Sequence, residues 1–155
     1  MAESGNPVAQ AASEANYLRF RDDAAADEPA VSLDAFFEQP NAVSVRIEAG
    51  DDPERLIPHL ARVTLVEVDF PRFRDGRGFS TARILREAGY SGEIKATGDV
   101  LVDLVYFMRR CGFDSFAPDV AIDPDVLKGA LGRYPYVYQH AADDAVPIWK
   151  LRHGQ

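Results

Sequence analysis

The chain has 155 residues, 46% of them hydrophobic and 27% charged, and a formal net charge of -8. That balance excludes a disordered or fibrous chain and is enough for one domain with one core. The acidic excess argues against non-specific nucleic-acid binding, which rests on neutralising phosphates. The single cysteine, Cys111, excludes an intrachain disulfide, a four-cysteine iron–sulfur centre and a zinc ribbon.

Residues 1 to 16, MAESGNPVAQAASEAN, carry no basic and apolar leader pattern and read as a flexible arm ahead of a domain over residues 17–139. Nowhere does an apolar run approach the ~20 residues that span a bilayer, so the expected location is the cytoplasm, without membrane attachment. Tyr17-Leu18-Arg19-Phe20 reads as a short edge strand. Ser32 is an N-cap for a short helix over Leu33 to Phe37 that ends before Pro40.

From there strands and helices alternate. Val43 to Ile47 is a strand, Pro53 opens a helix made brief or kinked by Pro58, and Thr64 to Phe70 is the next strand. A helix over Phe79 to Ala88 stops at Gly89, and Gly92 to Thr97 is a strand. A helix over Asp99 to Cys111 stops at Gly112, and Asp114 to Pro118 is a strand. Asp123 and Pro124 open a helix that reaches about Leu131, Tyr134 to Gln139 reads as a fifth strand, and residues 140–155 form a tail with an extended stretch at VPIWKL. The pattern predicts an α/β domain of repeated βα units with a mostly parallel sheet of about five strands. Periodicity leaves a doubly wound sheet and a partial barrel both open.

Four arginines and two glycines fall between Phe70 and Arg83, in FPRFRDGRGFSTAR, after the second of these strands. Ligands gather at the carboxyl ends of parallel strands, and a helix N-terminus offers unpaired N–H groups to an anion. Arg74, Asp75, Gly76, Arg77, Gly78, Ser80 and Arg83 therefore form a candidate anion or partner site, with Lys95 and Asp99 beside them. The competing reading is a structural turn in which Asp75 pairs with a neighbouring arginine; a Gly-x-Gly turn without a third glycine or a Lys-Ser/Thr is weak evidence for nucleotide binding.

The helix Asp99 to Cys111 has a narrow polar stripe of Asp99, Asp103, Tyr106 and Arg110. Leu104, Phe107 and Met108 call for a cover beyond the sheet, which a second copy, a partner or one of the chain's own ends would supply. Cys111, at a helix C-terminus, reads as a packed structural thiol. His59, His140 and His153 show no metal-ligand spacing, and the pairs Asp22-Asp23, Asp51-Asp52 and Asp143-Asp144 read as solvated turns. Asp69, Asp75, Asp99 and Asp119 all fall at strand ends, where with Lys95 and Arg77 they have general acid–base potential, although spacing identifies no nucleophile and base.

The stretch FPRFRDGRGFSTARILREAGYSGEIKATGDVLVDLVYFMRRCGFDSF resembles the core of a proteobacterial family of unknown function, and the likeness runs from about Leu33 to Gln139. Genes of that family commonly lie beside those for sulfite reductase and phosphoadenylylsulfate reductase, and its members carry an oxidoreductase label in sulfite reduction. Lys95 stands where the family more often has arginine, and Leu104 where it more often has glutamine. The resemblance implies a place in assimilatory sulfite reduction, with sulfite reductase as partner. This chain has no cluster cysteines, haem-attachment motif or dinucleotide fingerprint, so no redox cofactor is expected and an accessory role fits better than electron delivery. The alternatives are a small α/β enzyme acting on a sulfur- or phosphate-containing metabolite, and a dimeric assembly module built on the Asp99 to Cys111 helix.

Overall fold

In VEVD and EIKATG polar and apolar side chains alternate, the period of a strand with two unlike faces. Both segments are strands in the structure, a computed structural model that describes residues 17–134, 137, 141–142, 145–147 and 150–151. The six strands are β1 (Leu18–Arg19), β2 (Val31–Ser32), β3 (Ser44–Ile47), β4 (Leu65–Phe70), β5 (Glu93–Gly98) and β6 (Ser115–Pro118). They lie in one sheet in the order β1-β6-β5-β4-β3-β2. All neighbours are parallel except the edge pair β1 and β6.

From β2 to β6 each strand is laid down beside its predecessor in a constant direction. Right-handed crossovers that never reverse put every helix on the same face. The sheet is therefore singly wound, like a sector of a parallel barrel, and the doubly wound alternative, which needs a reversal of strand order, is ruled out. The helices are α1 (Leu33–Glu38), a 3-10 helix (Pro53–Arg62), α2 (Arg77–Glu87), α3 (Val102–Cys111) and α4 (Pro124–Gly132).

The core lies between these helices and one sheet face. Val45, Ile47, Val66, Val68, Phe70, Ile94, Ala96 and Phe116 come from the strands; Leu33, Phe36, Leu56, Ala82, Leu85, Val105, Met108 and Leu127 come from the helices. Every helix contributes to this one cluster. Among the described residues no helix is long and apolar enough to cross a membrane.

Local chemistry sets the helix starts and stops. The Ser32 hydroxyl accepts from Ala35 N at 3.2 Å, and the Asp123 carboxylate accepts from Asp125 N at 2.8 Å with Pro124 as first residue. Pro58 lies within the segment that the sequence reads as a brief or kinked helix, and that segment is a 3-10 helix throughout. α3 begins three residues after Asp99 because Gly98 takes φ +89° against the Phe70 carbonyl and Asp99 N donates to that carbonyl at 2.8 Å, turning the chain before a helix can form. The two-residue β2 has no counterpart among the expected strands. The expected arm, residues 1–16, lies outside the described residues, as do His140, His153, Asp143-Asp144 and much of the expected strand at 134–139 and of VPIWKL. From those last two stretches Val137 and Pro147 form an isolated parallel bridge outside the sheet.

β1 and β2 occupy opposite edges, so residues 20–30 must cross the width of the sheet, ~24 Å for five strand spacings. Eleven residues reach that far with slack. Phe20 N donates to Asp114 O at 2.8 Å, just before β6, so this strap starts at the amino ends of the parallel strands. Residues 23–28 run along that amino edge beside Thr64 and Gly89 to Glu93, and Ala25 and Ala26 also border the face that carries no helix.

Candidate functional site

The arginine loop follows β4 at the carboxyl edge of the sheet. Asp75 Oδ1 accepts from Arg77 N at 3.1 Å and from Arg77 Nε at 2.9 Å, and its Oδ2 accepts from Arg77 Nη2 at 2.6 Å. A carboxylate of the chain itself thus sits where an anion would meet the start of α2. The Arg77 guanidinium, then the Arg77 backbone N–H, pushes the Asp75 carboxyl down to about 2. Gly76 has right-handed backbone angles with open space around it, whereas Gly78 packs on the Phe70 ring, where a Cβ would collide. Arg83 pairs with Glu87 at 2.8 Å one turn along α2, both side chains exposed. Ser80 is exposed.

Asp99 belongs to this loop rather than to α3. Its Oδ2 accepts from Phe73 N at 2.8 Å and pins the loop to the end of β5. The pinned tip presents Arg72, Phe73 and Arg74 to solvent, with Phe73 39% exposed and the Arg74 guanidinium 5.3 Å from its ring centre. Among the described residues neither Arg72 nor Arg74 has an ion-pair partner.

Arg86, on the same helix as Arg83, is a structural tie. It donates to the carbonyls of Gly112, Tyr90 and Gly92 and to Asp114, joining the loops at the amino edge. Cys111 is half-buried, and burial pushes its thiol up against the opposing effects of Arg83 and Arg110, the state of an unreactive thiol. Met108 and Val105 turn into the core and Leu104 packs at its margin, while α4 lies against α3. Phe107 alone of the three named apolar residues stays largely exposed, beside Tyr106 and Tyr134.

The helix-free face of the sheet is polar. Register aligns Arg46, Glu67, Lys95 and Ser115 in one row, and Asp69, Thr97 and Ala117 in the next row toward the carboxyl ends. Glu67 Oε2 accepts from Arg46 Nε at 3.2 Å and Nη2 at 3.0 Å, and its Oε1 accepts from Lys95 Nζ at 3.2 Å. The Glu67 and Lys95 side chains are only 12% and 18% exposed. Thr97 Oγ1 donates to Asp69 Oδ1 at 3.3 Å.

These residues line an open cleft of about 750 Å³, with Asp119 at its carboxyl rim and Ala25 and Ala26 of the strap also lining it. Tyr17 forms part of the wall, its ring 5.2 Å from Lys95 Nζ. Below the cleft Glu93, 4% exposed, accepts from Ser115 Oγ at 2.6 Å, Tyr17 Oη at 2.7 Å and Arg19 Nε at 3.0 Å, and Arg19 in turn donates to the carbonyls of Arg21, Asp23 and Ala24 at the start of the strap. Burial raises the Glu93 carboxyl, but these donors outweigh it and hold its pKa below the ordinary value. The same contact with Glu93, added to burial, pushes the Tyr17 hydroxyl up to about 12.

The fold thus brings Lys95, Asp69 and Asp119 to one cleft and leaves Asp75, Arg77 and Asp99 in the loop beyond its rim. Arg46, Glu67, Thr97 and Tyr17 were not singled out from the sequence. The signal for three of them was present: the polar alternation of VRI, VEVD and IKAT marks one face of each strand.

The class these features define is an α/β protein with a singly wound parallel sheet, helices on one face and a polar cleft on the other. The chain belongs to a bacterial family of proteins of unknown function (DUF934), whose family model matches residues 44–149. No curated protein and no solved structure matches it.

Proposed function

We propose that the protein is an accessory factor of assimilatory sulfite reduction that docks on sulfite reductase through the arginine loop. The pathway comes from the family resemblance and its gene neighbourhood. The observation that carries the docking role is the pinned tip, with Phe73 exposed under Arg74 and Arg72 alongside, in an otherwise acidic chain. Arginine and aromatic side chains dominate the energetics of protein interfaces, and a tip already held by Asp99 and Asp75 loses little conformational freedom on binding. Capture of a simple oxyanion is the weaker use of the loop, because Asp75 already occupies the N–H and guanidinium donors of Arg77.

The reading is tested by titrating purified sulfite reductase of the same organism onto the immobilised full chain, with Phe73→Ala and Arg74→Glu in parallel. Saturable binding that weakens at least tenfold in each variant, and that falls with added salt, is the expected result. No binding of the wild-type chain at tens of micromolar reductase overturns it.

A further inference from the structure

The cleft on the helix-free face is independent of the docking loop, and its charges are sorted along the strands. Its inner row holds Arg46, Glu67 and Lys95, a net +1; its outer part holds Asp69 and Asp119, a net -2, with the Thr97 hydroxyl on Asp69 in the same row. The geometry points to a binding site for a small zwitterion of the α-amino acid class, with its carboxylate on Lys95 and Arg46 and its ammonium on Asp69 and Asp119.

Four observations carry this. The Lys95 ammonium has three donors and spends one on Glu67, at a distance longer than a tight charge-assisted bond, so the others are available to a ligand carboxylate. Arg46 directs Nε and Nη2 at Glu67 and keeps further guanidinium donors, with its side chain 48% exposed where it lines the cleft. A bare anion in the cleft would meet the two carboxylates of the outer part, and a bare cation the net +1 of the inner row; a molecule carrying both charges satisfies both parts. Finally, fold stability does not call for a largely buried Glu67–Lys95 pair, since apolar residues of similar volume commonly serve as well. At about 750 Å³ the cleft has room for a side chain beyond the zwitterionic head group.

The test uses the purified full chain in a thermal-shift assay. Each of the twenty L-α-amino acids is added at 10 mM, and any that responds is compared with its decarboxylated amine and its deaminated acid. The expected result is a rise of several degrees in Tm with one or a few related amino acids, at least halved for the amine and for the acid. Lys95→Met and Asp69→Asn should remove the response, and Lys95→Arg should retain it. If Lys95→Met fails to fold, Asp119→Asn at the rim and Arg46→Ala decide the same point. No response to any of the twenty, an equal response to the amine or the acid alone, or a response that survives the charge-removing variants overturns the proposal.

Discussion

The two faces of one sheet obey different rules. On the helix side, Val45, Val66, Ile94 and Phe116 on adjacent strands are all fully buried beneath helices, and the face reads as an unbroken apolar layer. On the other side Arg46, Glu67, Lys95 and Ser115 stand in register on the same strands, bonded to one another or to Glu93, with no helix over them and Tyr17, Ala25 and Ala26 at the cleft wall. Backbone and hydrogen-bond ladder are shared, so the difference lies in the side chains and in winding direction. The first face supplies the hydrophobic stabilisation; the second is kept polar at a cost that folding does not require.

The comparison breaks first if the apolar face proves tolerant. Phe116→Ala removes a fully buried ring that touches Phe113 and Phe20, and should cost about 3–5 kcal/mol in chemical denaturation. A loss under about 1 kcal/mol would mean that the helices do not pack there as described.

The strap sharpens the contrast, because its most buried tie is the Glu93 carboxylate, reached through Arg19, with Arg21 on Asp114 as a second, less buried tie. Glu93→Gln should cost about 1–3 kcal/mol, since a neutral amide replaces a carboxylate that accepts from Tyr17, Arg19 and Ser115. The folded-state pKa of Glu93 lies below its ordinary 4.5, so its stabilisation is complete above that pH and is lost as pH falls through the lower folded value. Limited proteolysis should therefore cut the strap of the wild-type protein increasingly below pH 4.5, while Glu93→Gln is cut faster than wild type already at neutral pH and with a weaker acid dependence, the Arg21–Asp114 pair remaining. Equal resistance of both proteins across that range would remove Glu93 as the anchor.

The smallest effect is expected in the loop that the sequence makes most conspicuous. Arg77→Ala breaks an exposed pair with Asp75 and should leave Tm where it is, because such pairs are screened by water and salt. A marked drop would show that the loop braces the fold rather than presenting a surface.

Much of this architecture was legible in the residues. The caps Ser32 and Asp123, the helix stops at Gly89 and Gly112, and the βα rhythm all rest on local chemistry that acts over a few residues. The start of α3 was not, because what displaces it is a contact between Gly98 and Phe70 on neighbouring strands. The site was half legible. Lys95, Asp69 and Asp119 stand out as charged residues on or at the ends of strands, but the sequence grouped them with Asp75 and Arg77, which the chain uses on each other. Winding direction decided the grouping, and it is set by which strands pair, a property no short window carries.

The most direct test of the account is the unfolding free energy of the double variant Glu67→Met/Lys95→Met, measured beside its amino acid response. If the polar face is kept for binding, the double variant unfolds within about 1 kcal/mol of wild type, or above it, and no longer responds to any amino acid. A loss of about 3 kcal/mol or more would make the pair a structural element and contradict the division of labour between the two faces.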